Sequence, residues 1–85
     1  MEKQAVSFAT EDVETRISMY LVELSKELKS LEITLPMTRK DLASYLGTTP
    51  ETISRKLAEF EDLGWIKQTG SRSIQLINVE ALMLV

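Results

Sequence analysis

The chain contains no cysteine and no histidine. That removes disulfides, thiol chemistry, Cys/His metal sites and imidazole catalysis together. Aromatic residues make up 6% and there are two prolines and three glycines, so neither a proline-rich tract nor a glycine-rich phosphate loop is present. No run of 18 apolar residues occurs, which excludes a membrane-spanning helix, and the closing "ALMLV" is far too short to span. The opening "MEKQAVSFATEDVE" lacks the charged-then-apolar layout of a signal peptide. Cytoplasmic location, no membrane partner, no metal and no enzymatic activity are the expectations that follow.

What is present is ordinary for a small folded domain: 85 residues, 44% apolar and 27% charged. Net charge is −3, which by itself argues against a nucleic-acid partner. The charge is unevenly placed. Residues 1–34 hold four Lys/Arg against seven Asp/Glu, whereas residues 35–75 hold six against five. Within residues 38–57 the balance is four basic against two acidic. An excess this small predicts weak non-specific affinity for DNA.

Hydrophobic spacing divides the chain. Residues 1–10 read as a leader, and residues 11–85 as one domain. Val13, Ile17, Tyr20, Leu21, Leu24 and Leu28 recur at helical spacing and predict a helix over 11–30, with Thr10 as N-cap. "ITL" before Pro36 predicts a short edge strand at 33–35. Thr38 then caps a second helix in capping-box spacing with Asp41. Leu42, Ala43, Tyr45 and Leu46 are expected on its inner face, and Gly47 ends it. Thr49 caps a third helix, 50–63, with Pro50 at its first position. "WIKQTGSRSIQLIN" alternates about a turn at Gly70-Ser71-Arg72 and predicts a β-hairpin. Asn78 caps a last short helix. Two helices joined around a glycine form a helix-turn-helix. The fold class expected is α+β, a winged helix-turn-helix with a three-helix core and a C-terminal β-hairpin wing.

The third helix carries the chemistry. With Ile53, Leu57 and Phe60 toward the core, Glu51 and Arg55 fall at about 160° and about 200°, and Ser54 at about 100°. A helix fits the DNA major groove and reads it with its N-terminal residues. Arginine can donate twice to guanine, glutamate can accept from cytosine's amino group, and serine serves either way. A Glu51–Arg55 salt bridge at i,i+4 would align the fork. Taken alone, such a pair is more often a solvated surface ion pair. The frame favours the first reading: Ala43, Gly47 and Ile53 stand at the spacing that two tightly crossed helices need. Arg72, Ser71 and Ser73 at the hairpin tip suit phosphates, as do Thr38, Arg39, Thr49, Thr52 and Lys56 along the motif. Thr38 and Arg39 read equally well as a simple cap and a surface charge. Trp65 reads as core more readily than as a base-stacking platform.

The stretch "LPMTRKDLASYLGTTPETISRKLAEFEDLGWIKQTGSRSIQLINVEAL" resembles the C-terminal DNA-binding domain of the Crp/Fnr family of bacterial transcription regulators. "ETISR" after "R-x-D-L-A-x-Y-L-G" is the specific part, and "DVETRI" is similar to the start of that domain. The resemblance implies that Glu51, Ser54 and Arg55 read bases. It also implies a TTGAT-like half-site of the Fnr branch, because the Crp branch has glycine at the place of Ser54 and arginine at that of Pro50. Further implications are a palindromic double-stranded operator, homodimers and RNA polymerase contact in the full-length protein. The loop Lys29 to Glu32 is either a polymerase contact or a solvated connector. Family members carry an N-terminal sensor domain and a long dimerisation helix. Residues 1–10 are then a leader or the stub of that helix, the chain is expected to be an excised domain in preference to a natural stand-alone form, and no cofactor belongs to it. The alternative function is a winged helix that binds protein and not DNA.

Overall fold

A computed structural model describes residues 12–85. The expected leader 1–10, Thr10 as cap and Glu11 all lie outside the described residues. The elements in order are α1 (Val13–Leu28), β1 (Glu32–Thr34), α2 (Arg39–Leu46), α3 (Pro50–Asp62), β2 (Ile66–Gln68), β3 (Ser73–Leu76) and α4 (Val79–Leu84). This is the α+β winged helix-turn-helix that the spacing predicts.

Each boundary has a local cause. Asp12 is the N-cap of α1 through its backbone, with no side-chain cap bond. Lys29 caps α1 in the left-handed region, at φ 53°, so the helix ends at Leu28, two residues before the expected end. Thr38 Oγ1 accepts from the Asp41 amide at 3.1 Å and starts α2. No return bond from the Asp41 side chain is made among the described residues, consistent with a carboxylate one methylene shorter than glutamate's. Gly47, at φ 76°, ends α2, since only glycine enters that region at little strain. Thr49 Oγ1 accepts from the Thr52 amide at 3.2 Å and starts α3, with Pro50 in its first turn. Asn78 Oδ1 does the same for Ala81 in α4.

The hairpin is joined by β1, the strand between α1 and α2. β1 pairs antiparallel with β3, and β3 with β2, giving the order β1-β3-β2. Ile33 sits opposite Ile74, and Ile66 opposite Leu76. All four are buried, so one face of the sheet closes the core. The short edge strand was legible from "ITL" before proline. Its partner was not.

The core gathers Ile17, Leu21, Leu24, Leu42, Ile53, Leu57 and Phe60 from the helices under that sheet. Burying each such side chain stabilises the fold by roughly 1.5–3 kcal/mol. Two inward assignments are corrected. Tyr45 is 68% exposed; it stands beside α1 and meets Tyr20 edge-to-face with ring centroids 5.8 Å apart. Leu28, in the last turn of α1, is half-exposed. The buried face of α1 is instead broadened by Ser18, Val22 and Ser25, because α1 packs against α4, β1 and α2 together. Trp65 is half-buried on the core, tilted against Phe60 at 5.5 Å between centroids.

Candidate nucleic-acid interface

The third helix divides cleanly into two faces. Ile53, Leu57 and Phe60 are fully buried. Glu51, Ser54 and Arg55 are exposed on the opposite side and flank of the same turns. Three apolar anchors at i, i+4 and i+7 fix the rotation of α3, and that rotation projects the other three outward. Thr49 caps the helix and satisfies the orphan amide of Thr52, so the start of α3 is formed, and these side chains leave it within its first turn and a half.

The expected Glu51–Arg55 salt bridge is not formed among the described residues; the ion pair on this helix runs from Lys56 Nζ to Glu59 Oε1 at 3.4 Å. Exposed pairs at this spacing contribute only about 0.3–0.5 kcal/mol, too little to hold two long side chains together. Arg55 and Glu51 therefore leave the helix separately, each with its own donors or acceptors. Ser54 differs. Its Oγ accepts from Arg39 Nη1 at 3.0 Å.

Arg39 is the organising residue that spacing did not single out in this role. It is the first residue of α2. Its Nη2 donates to Gln68 Oε1 at 3.0 Å and to the Ser71 carbonyl at 3.3 Å. Gln68 in turn donates from Nε2 to Glu61 Oε1 at 3.1 Å. One guanidinium thus ties α2, α3, β2 and the hairpin turn together, using the planar fork that lysine lacks. A signal for Gln68 existed: it shares the inward register of Ile66, and a polar residue there needs a partner.

Ser71 and Arg72 are exposed at the hairpin turn, while Ser73 is half-buried at the start of β3. The turn is held by the Thr69 amide donating to the Ser73 carbonyl at 2.9 Å and the Leu35 amide donating to the Arg72 carbonyl at 2.8 Å. Thr38 and Thr49 are exposed and act as caps. The Thr49 hydroxyl also donates to Thr52 Oγ1 at 3.0 Å. A separate cleft of about 480 Å³, lined by Met19, Tyr20, Tyr45 and Leu46 among others, shares none of these residues. Among the described residues no group of three or more acidic side chains is placed to hold a metal ion, and no helix is long and apolar enough to cross a membrane.

Comparison with known proteins places this geometry. Residues 15–85 match the family described as the Crp-like helix-turn-helix domain. The chain is 35% identical over 80 residues to the probable transcriptional regulator flp of Lacticaseibacillus casei, covering 94% of this chain and 36% of that protein. It is 37% identical over 68 residues to the nitrogen fixation regulation protein FixK of Rhizobium meliloti, covering 79% and 32%. The structure of FixK2 from Bradyrhizobium japonicum superposes with a TM-score of 0.80 at 30% identity, over 92% of this chain and 40% of that one. The chain therefore spans about a third of the length of these curated relatives. With a capped second helix of a helix-turn-helix, a hairpin beside it and this match over nearly all the described residues, the chain belongs to the Crp-like helix-turn-helix domains of the Crp/Fnr transcription regulators.

Proposed function

We propose that this domain binds double-stranded DNA in a sequence-specific way and serves a transcription regulator of the Fnr branch. The observation that carries the reading is the outward trio on α3, Glu51, Ser54 and Arg55, set opposite the buried Ile53, Leu57 and Phe60. An N-terminal turn of that kind suits the major groove. Arg55 donates to guanine O6 and N7, Glu51 accepts from a cytosine amino group, and Ser54 supplies a third contact. The half-site is TTGAT-like. Ser71, Arg72 and Ser73 grip phosphates beside the groove, and Thr38, Arg39, Thr49, Thr52 and Lys56 line the backbone path. Curated relatives are named as transcription and nitrogen-fixation regulators, which supports the same assignment. In a longer protein the domain acts in a homodimer on a palindromic operator and communicates with RNA polymerase, in the cytoplasm. It needs no cofactor of its own and catalyses nothing.

A low-salt gel shift tests the proposal, with a TTGAT-type inverted repeat against a scrambled duplex. Preferential retardation of the inverted repeat supports it; equal affinity for both removes sequence reading. A second reading, a winged helix that binds protein, is favoured by the net charge of −3. It requires that Glu51 and Arg55 be replaceable without loss of any DNA affinity.

A further inference from the structure

Serines inside helices commonly send their hydroxyl hydrogen back to a carbonyl one turn earlier. Ser18 does so toward the Thr15 carbonyl at 3.0 Å, and Ser25 toward the Val22 carbonyl at 2.7 Å. Ser54 makes no such bond among the described residues. Its oxygen accepts from Arg39 Nη1 at 3.0 Å instead. A hydroxyl has one hydrogen and two lone pairs, and a guanidinium is charged at every accessible pH. Arg39 engages a lone pair and places a permanent positive charge on that side of the oxygen. A second donor approaching the same oxygen meets that charge. The O–H hydrogen must then point away from Arg39, and it meets no acceptor among the described residues.

The guanidinium is itself held. Gln68 Oε1 and the Ser71 carbonyl anchor Nη2 at 3.0 and 3.3 Å. Its Nε is buried without a hydrogen-bond partner among the described residues, an arrangement that stability alone disfavours.

We infer that Arg39 is a positioning residue that presents Ser54 to the duplex as a hydrogen-bond donor. Ser54, otherwise an indifferent partner, is thereby tuned to an acceptor on a base edge, thymine O4 or a purine N7 or O6, and away from cytosine's amino group. The inference rests on the proposed reading of α3 as the base-facing helix.

Selection of bound duplexes from a random pool tests it, using the parent chain, Arg39→Lys, Ser54→Ala and the double variant, each first shown to be folded by thermal melting. Lysine keeps the positive charge but cannot bridge the same partners. The readout is preference at each base pair, not overall affinity. Ser54→Ala should flatten the preference at one pair roughly 2- to 12-fold, the worth of one hydrogen bond. Arg39→Lys should flatten that same pair by a similar factor, and the double variant should be no flatter than either. Where Arg39→Lys does not fold, Arg39→Gln takes its place in the same comparison. A parent-like preference at that pair in the Arg39 variant overturns the inference, as does a fully additive loss in the double variant. A parent chain that selects no sequence at all overturns the base-facing reading of α3, and this inference with it.

Discussion

Arg16 on α1 donates from Nη1 to the carbonyl of Leu46, the last residue of α2, at 2.8 Å. The last carbonyls of a helix have no partner within it, and a cation suits the negative end of the helix dipole. One contact across thirty residues thus closes α2 and fastens it to α1. The next residue, Gly47, lies at φ 76°, and a Cβ there would sit 3.4 Å from the same Arg16 Nη1. The turn of the helix-turn-helix is bounded by backbone conformation on one side and by this guanidinium on the other.

Gly47→Ala should therefore destabilise the domain by roughly 1–2 kcal/mol, the cost of a left-handed non-glycine residue. Urea denaturation measures it. An alanine variant as stable as the parent would show that the turn can relax.

Leu57, on α3, is fully buried in the core. Leu57→Ala should lower stability by about 2–5 kcal/mol, a large share of what a domain this small possesses. Circular dichroism melting should show a lower midpoint or no cooperative transition. A loss below about 1 kcal/mol would mean that the core collapses around the gap.

On the proposed DNA-reading face, Arg55→Ala should lose about 1–3 kcal/mol of discrimination and relax preference at a single G·C pair. Pool selection followed by sequencing reads this directly. An unchanged site profile would remove Arg55 from base reading.

Arg72 at the hairpin turn should behave differently. Arg72→Ala should weaken binding to all duplexes alike and reduce the salt slope by about 1. Affinities measured across a salt series separate the cases: a loss confined to particular sequences would assign Arg72 to bases, not phosphate.

Tyr20 has its phenol pushed above the ordinary 10.0, first by burial, then by the neighbouring Tyr45 and Glu27. The folded state thus favours the neutral phenol. Its contribution to stability is complete below pH 10 and declines as pH rises through the folded-state value. Tyr20→Phe should make stability fall less steeply above pH 10, as followed by urea denaturation at several alkaline pH values. Parallel pH curves for the parent and the variant would contradict this.

Most of the helix-turn-helix was legible along the chain because its determinants are local. Thr38, Gly47, Thr49 and Pro50 mark boundaries within a turn of where they act, and Ile53, Leu57 and Phe60 declare the buried face of α3 by spacing alone. Once that face is set, Glu51, Ser54 and Arg55 have only one way to point. Tyr45 shows where this reasoning stops. At the end of a short helix its direction relative to the core depends on how α1 lies alongside, and it stays in solvent next to Tyr20.

The amino-acid order by itself determined the elements, the side-chain caps of α2, α3 and α4 and the outward face of α3, since each follows from interactions over three or four residues. Only the tertiary structure decided that β1 joins β3, that Arg16 seals α2, and that Arg39 joins Ser54, Gln68 and Ser71 across separations of 15, 29 and 32 residues. Periodicity carries no record of such partners. They meet because a shared hydrophobic core draws the helices and the sheet together, and the polar groups left at its rim must then find one another.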